Sequence, residues 1–147
     1  MTPEALFQIT TPLALIGWLA LLFFPGSRIA VERIARGIVP ALLAFAYAAI
    51  LIFAVGGDLD FSAFSTLEGI ASLQGSRWAL LAGWLHYLAF DLLVGAWEVR
   101  TARDERIPHL AVVPCLFFTF MLGPVGFLMF LAVRALFARR KAAPVRA

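Results

Sequence analysis

The chain is predicted to be an all-α integral membrane protein, a bundle of three full spans plus a C-terminal helical hairpin broken at Gly123-Pro124. Three observations predict this. Of its 147 residues 63% are hydrophobic and 14% charged, with a mean hydropathy of +0.93, whereas soluble domains are about 25% charged. The apolar residues form runs of about 20, the helix length that crosses roughly 30 Å of hydrocarbon. The 12 Lys and Arg sit at the ends of those runs, where they set topology rather than bind nucleic acid.

Residues 5–24 form the first span, stopped by Pro25-Gly26, with Thr10-Thr11-Pro12 a place where it can bend. Glu4 and the lack of Lys or Arg before it argue against a signal peptide. A basic loop, 25–37, carries Arg28, Arg33 and Arg36. The second span, 38–55, opens near Pro40, and Ala41, Ala44 and Ala48 give it a small-residue face on which another helix can pack closely. Residues 58–76 hold Asp58, Asp60 and Glu68, with Phe61, Phe64, Leu67, Ile70 and Ala71 near helical spacing. They read as a short surface helix with Ser65 and Glu68 as its capping box. The third span, 78–97, is bracketed by Trp78 and Trp97, and a charged loop from Glu98 to Arg106 follows.

The last apolar stretch, 107–137, would be about 46 Å long as one straight helix, too long for the hydrocarbon without strong tilt. If it crosses once, the basic residues split six and six: Arg28, Arg33, Arg36, Arg100, Arg103 and Arg106 against Arg77, Arg134, Arg139, Arg140, Lys141 and Arg146. If it folds back at Gly123-Pro124, eleven oppose Arg77 alone. The positive-inside rule selects the hairpin, 107–122 and 124–138, over the alternative of four spans with the last one kinked. It also puts the N-terminus outside and the C-terminus in the cytoplasm. The Ala- and Arg-rich usage points to a bacterial inner membrane. Residues 1–138 are thus one transmembrane bundle, and 139–147 a basic tail expected to be disordered.

Two ionisable groups inside the third span are the best functional signal. His86 and Asp91 each cost at least about 2.5 kcal/mol on membrane-insertion scales, so such groups normally face a bundle interior and mark a site. On a helix, Trp84, Tyr87, Asp91, Val94 and Glu98 share one face, and His86, Phe90, Leu93 and Trp97 lie roughly opposite. His86 and Asp91 therefore do not pair directly, and the span belongs at the centre of the bundle. Tyr87 can donate to Asp91, four residues on; the plainer role for Asp91 is a hydrogen bond that clamps a neighbouring helix. His109 suits the interface, as a cap or a snorkelling group. Thr119 and the Gly123-Pro124 break could complete a pocket, since an interrupted helix frees backbone groups, or could simply make a tight turn. Trp84, Tyr87, Phe90, Phe117, Phe118 and Phe120 would suit a long isoprenoid, and equally ordinary packing. No metal is expected, because no spacing of His, Glu and Cys supplies a third ligand. The lone Cys115 reads as buried packing.

The run Trp84-Leu85-His86-Tyr87-Leu88-Ala89-Phe90-Asp91-Leu92-Leu93-Val94-Gly95, with Ile107-Pro108-His109-Leu110, Pro114, Thr119 and Gly123-Pro124-Val125-Gly126, resembles the small membrane family of the plant abscisic-acid-deficiency type. The likeness is strongest over 78–134 and continues to Phe24-Pro25. It implies a neoxanthin synthase-like association with carotenoids, which in plants is conversion of the epoxide violaxanthin to the allenic neoxanthin. That isomerisation needs an acid to protonate the epoxide oxygen and a base to remove a vinylic proton, but no cofactor. Carried over, the resemblance implies His86 and Asp91 as the catalytic pair. Trp84, Tyr87, Phe90, His109, Thr119, Gly123 and Pro124 would then bind the substrate.

The expected function is therefore a carotenoid- or isoprenoid-binding membrane protein acting as a cofactor-independent isomerase or modifying enzyme. The expected partners are a carotenoid or other isoprenoid, membrane lipids, and further copies or a larger membrane complex. Two alternatives stand beside it: a non-catalytic pigment- or lipid-holding assembly subunit, and a proton or solute pathway with His86 and Asp91 as relays.

Overall fold

The computed structural model describes residues 2–55, 61–73 and 75–142, and these are helical nearly throughout, with no strand among them. Three described helices are long and apolar enough to cross a membrane: α1 (Pro3–Phe23), α2 (Ile29–Val55) and α4 (Arg77–Asp104). Between α2 and α4 come a 3-10 turn (Phe61–Ser65) and α3 (Leu67–Leu73), and α4 is followed by α5 (His109–Leu122) and α6 (Pro124–Ala142).

Local chemistry sets the ends of α1. The Thr2 hydroxyl accepts from the Ala5 N–H at 3.2 Å, and Pro3 and Glu4 occupy a first turn that tolerates a missing N–H and favours negative charge. Pro12 lies inside the helix, and the Thr10 hydroxyl donates to the Leu6 carbonyl at 2.8 Å one turn earlier.

The stretch 25–37, expected as a loop, is mostly helix. Ser27 caps it, accepting from the Ala30 N–H at 3.2 Å, and Ala30, Val31 and Ala35 are buried. The charges that suggested a loop are paired sideways: Glu32 binds Arg36 within the helix and meets Arg100 and Arg103 near the end of α4. Wide π-type turns, Ile29–Ile38, precede Pro40. A proline ring collides with the carbonyl four residues back in a regular helix, and the wider turn relieves that contact.

Ala41, Ala44 and Ala48 point outward, contrary to the close-packing face expected of them, and α2 meets the bundle through Val39, Pro40, Leu43 and Ile50. α3 is capped by Thr66, whose hydroxyl accepts from Gly69 N–H at 3.0 Å, and not by Ser65 and Glu68. The helix starts one residue later than expected, so the third residue in is Gly69. Phe64, Leu67 and Ile70 are exposed; Asp58, Asp60 and the Phe61 side chain lie outside the described residues.

α4 is central, as its polar groups on both sides predicted, and packs on α1, α2, α5 and α6. Glycines let α1 approach it: a Cβ on Gly95 would lie 2.8 Å from the Trp18 ring, and one on Gly17 would lie 2.4 Å from Leu92. Lipid is as apolar as leucine, so such contacts stabilise through dispersion rather than water release. The helix runs two turns past Trp97, which overturns the expected loop from Glu98. Trp97 packs on Phe127 and Phe130 of α6 at ring separations of 5.7 and 5.3 Å. Glu98, Val99 and Ala102 are buried, so this charged stretch has an inward face.

A Schellman turn ends α4. Arg106 N–H donates to Arg103 O and Ile107 N–H to Ala102 O, with Ile107 and Ala102 both buried. Arg106 thereby takes φ +55°, a left-handed position that suits glycine. Arg106→Gly should raise stability by up to about 1 kcal/mol in reversible denaturant unfolding in detergent, with the midpoint as readout.

The chain then folds back as the charge partition required. Gly123, at φ +46°, ends α5 by donating to Thr119 O at 3.0 Å, and α6 returns until Arg134 donates to Glu105 at 2.7 Å beyond the end of α4. The 14 residues of α5 reach only about 21 Å, so the turn sits at membrane depth. Such a turn needs protein around it. Arg28, Arg33, Arg36, Arg100, Arg103, Arg106, Arg134 and Arg139 consequently gather at one end of the bundle, while Arg77 pairs with Glu4 at the other. α6 remains helical to Ala142, four residues into the stretch read as tail, and 143–147 lie outside the described residues.

Candidate functional site

The face of α4 bearing Tyr87, Asp91 and Glu98 meets the α5–α6 hairpin, and each side chain meets it at a point fixed by backbone chemistry. Pro124 has no N–H, so the Phe120 carbonyl lacks its usual helical donor. The Tyr87 hydroxyl donates to that carbonyl at 2.9 Å. The phenol was expected to donate to Asp91; its oxygen remains beside that carboxyl, but its proton goes to Phe120.

Asp91 lies against the turn itself. A Cβ built on Gly123 would stand 3.0 Å from Oδ1 and 3.2 Å from Oδ2 of Asp91, so only glycine leaves the carboxyl ordinary room. Gly123 immediately precedes α6, so the carboxyl lies close to the positive N-terminal end of that helix. Asp91 is partly buried, and its Oδ2 is enclosed without a hydrogen-bond partner.

Two turns further along, Glu98 is 0% exposed, and the equally buried Thr119 hydroxyl donates to its Oε1 at 2.9 Å. Glu98 Oε2 is enclosed and unpartnered. Neither Asp91 nor Glu98 has an ion-pair partner among the described residues. Gly126 permits this geometry, since a Cβ there would fall 2.0 Å from Thr119 N and 2.3 Å from its hydroxyl oxygen. A third enclosed polar atom without a partner, Trp18 Nε1, belongs to a ring packed on Gly95 and edge-on to Phe120 at 5.4 Å.

The structure thus gathers Tyr87, Asp91, Thr119, Gly123 and Pro124 at one place. His86 is elsewhere: it is exposed on the other side of α4, stacked on the exposed Phe90 at 4.6 Å and 5.7 Å from the Tyr47 ring. His109 lies at the far end of α5, where its Nε2 meets the Leu22 carbonyl at 3.0 Å. A carbonyl only accepts, so that nitrogen carries the proton and caps α1. Phe117 and Phe118 contact each other edge-on at 5.4 Å, and Phe117 is exposed.

Trp84 connects the polar face to a groove. It stacks on Tyr87 at 5.5 Å, lies 6.0 Å from the Phe7 ring, and donates to the Thr11 hydroxyl at 3.2 Å. With Phe7, Leu80 and Leu81 it walls a cavity of about 460 Å³ between α1 and α4, and Glu4 and Arg77 stand at its mouth. The groove is therefore mostly apolar, with Glu4, Gln8 and Arg77 as its polar members.

The sequence reading put Glu98 on the Asp91 face of the helix but also opened a loop there, and so gave it no role in the site. The signal was present: Glu98 is seven residues from Asp91, which returns it to the same helix face within about 20°. Two carboxyls and a phenol on one face can accept hydrogen bonds and exchange protons at membrane depth.

Residues 5–130 match the protein family described as ABA DEFICIENT 4-like. No curated protein and no solved structure matches the chain.

Proposed function

Because the chain belongs to the ABA DEFICIENT 4-like family, we propose that it binds a carotenoid-like isoprenoid in the membrane and isomerises it by proton transfer. The carrying observation is Asp91: a carboxyl at the hairpin turn with an enclosed, unpartnered oxygen and no ion-pair partner among the described residues. A carboxyl that only clamped two helices would have its hydrogen bonds made. The groove along Phe7, Leu80, Leu81 and Trp84 offers a polyene a largely apolar bed, and the Trp84 ring, stacked on Tyr87, links that groove to the carboxyl face.

Isomerisation of an oxygenated polyene asks for protons only. One is delivered to oxygen as a C–O bond breaks, and one is taken from carbon as its electron pair forms the new double bond. Mass is unchanged and no electrons are exchanged. Asp91 is the proton-exchanging group at the turn, with the Tyr87 phenol oxygen beside it placed to accept from the hydroxyl that forms. The end rich in arginine faces the cytoplasm of a bacterial inner membrane, which leaves Glu4 and Arg77 at the outer surface.

Expression in a carotenoid-producing bacterium, with pigments resolved by chromatography, absorption and mass, tests this reading. The protein is expected to yield an isomer of unchanged mass and shifted spectrum, and Asp91→Asn to lower that conversion roughly 10²- to 10⁴-fold. A pigment profile indifferent both to the protein and to Asp91→Asn overturns it. Pigment that co-purifies unchanged with wild type and variant alike would instead establish a holding role in a larger assembly.

A further inference from the structure

Glu98 is enclosed at the hairpin with a role that anchoring does not explain. Its contact with Thr119 uses one oxygen as an acceptor, which the neutral amide of glutamine would supply equally well. A carboxyl inside the membrane is costly and by default marks chemistry. This one is 0% exposed, has no cationic partner among the described residues, and keeps its second oxygen enclosed and unpartnered.

Its position relative to Asp91 is specific. Seven residues put the two carboxyls on one face of α4, about 10 Å apart along the axis, facing the same hairpin. Thr119 holds both ends of this stretch: its hydroxyl donates to Glu98 Oε1 at 2.9 Å and its carbonyl accepts from Gly123 N–H at 3.0 Å, and a Cβ on Gly123 would stand 3.0 Å from the Asp91 carboxyl. Glu98 is also the group nearer the arginine-rich end, with Arg100 and Arg103 following on the same helix.

Proton-transfer isomerisation leaves a debt after each turnover. Asp91, having protonated the oxygen, has lost a proton; the proton leaving carbon passes to water at the site, and the next turnover waits until Asp91 is protonated again. That return needs an exchangeable group on the same face, shielded from lipid. We propose that Glu98 is the proton-relay partner of Asp91, exchanging a proton with it through water admitted at the hairpin turn so that the site resets. The inference rests on the isomerase reading for its purpose, and on the enclosed carboxyl pair for its existence.

The decisive comparison is Glu98→Gln, which keeps an acceptor for Thr119. With violaxanthin as the probe in detergent-solubilised protein, Glu98→Gln should form up to one equivalent of isomer per protein and then slow at least tenfold, whereas wild type continues. A purely structural role predicts no separation between the first and later turnovers. Infrared difference spectra recorded in H2O and D2O need no substrate: a carboxyl band removed by Glu98→Gln should shift in Asp91→Asn, showing that the two groups share protons. Steady turnover by Glu98→Gln at the wild-type rate overturns the relay, and so does a Glu98 band indifferent to Asp91→Asn. If wild-type protein leaves violaxanthin unchanged, the isomerase reading loses that substrate, and the infrared coupling alone decides whether the carboxyls are linked. If Glu98→Gln fails to fold, the response of the wild-type carboxyl bands to Asp91→Asn decides the same point.

Discussion

Gly126→Ala is expected to open the hairpin. The added Cβ would fall 2.0 Å from the Thr119 amide nitrogen and 2.3 Å from its hydroxyl oxygen, and neither can yield while α5 stays helical. Overpacking a tight contact typically costs 1–3 kcal/mol, roughly, where side chains can adjust. Here backbone is struck, so a loss of about 3 kcal/mol or more is expected. The damage should be directional, because Thr119 is the residue through which α5 holds Glu98. Proteolysis of the solubilised protein should show earlier cleavage near the turn, and the unfolding midpoint should fall. Gly83→Ala, where a Cβ meets nothing within 4 Å, is the matched control. Equal midpoints for the two variants would mean that α6 does not pack on Thr119 as described.

The hairpin is also where the sequence was most legible. Helix length, the Gly123-Pro124 break and the sorting of Arg and Lys each constrain the topology independently, and they agreed. What was misread were helix ends placed at charged residues. Glu32, Arg36, Arg100 and Arg103 looked like loop residues because each alone is too polar for a membrane helix, yet they satisfy one another between α2 and α4. Glu98 looked like the first residue of a loop for the same reason. Composition reports the cost of burying a charge but not the partner that offsets it, and Thr119, 21 residues away, is legible only once the hairpin is built. Ala41, Ala44 and Ala48 erred in the opposite direction: a small-residue stripe shows where helices could approach, not whether one does. His86 and Asp91 were correctly read as belonging to different faces, and it was the break in α5 that decided which face meets the hairpin.

Thr119→Val should cost about 1–3 kcal/mol, because it removes the donor to Glu98 and leaves a fully buried carboxyl with both oxygens unpartnered. Valine matches threonine in shape, so packing is preserved and the loss isolates the hydrogen bond. Glu98→Leu alone should also destabilise, by stranding the Thr119 hydroxyl, though less, since a hydroxyl can turn back to its own helix carbonyl four residues earlier. The double variant Glu98→Leu with Thr119→Val leaves neither partner, and replacing a buried polar pair by apolar groups of similar volume is often neutral or stabilising. Its unfolding midpoint is therefore expected to recover most of the way to wild type, a coupling that a double-mutant cycle reads directly. Additive losses in the cycle would show that Glu98 and Thr119 do not interact. The recovered double variant then separates stability from chemistry: it restores the fold around the hairpin while removing the second carboxyl. If it folds like wild type but no longer turns over pigment, the burial of Glu98 is a stability cost maintained for function, and the paired arrangement of Asp91 and Glu98 on one face of α4 is the reason the fold bears it.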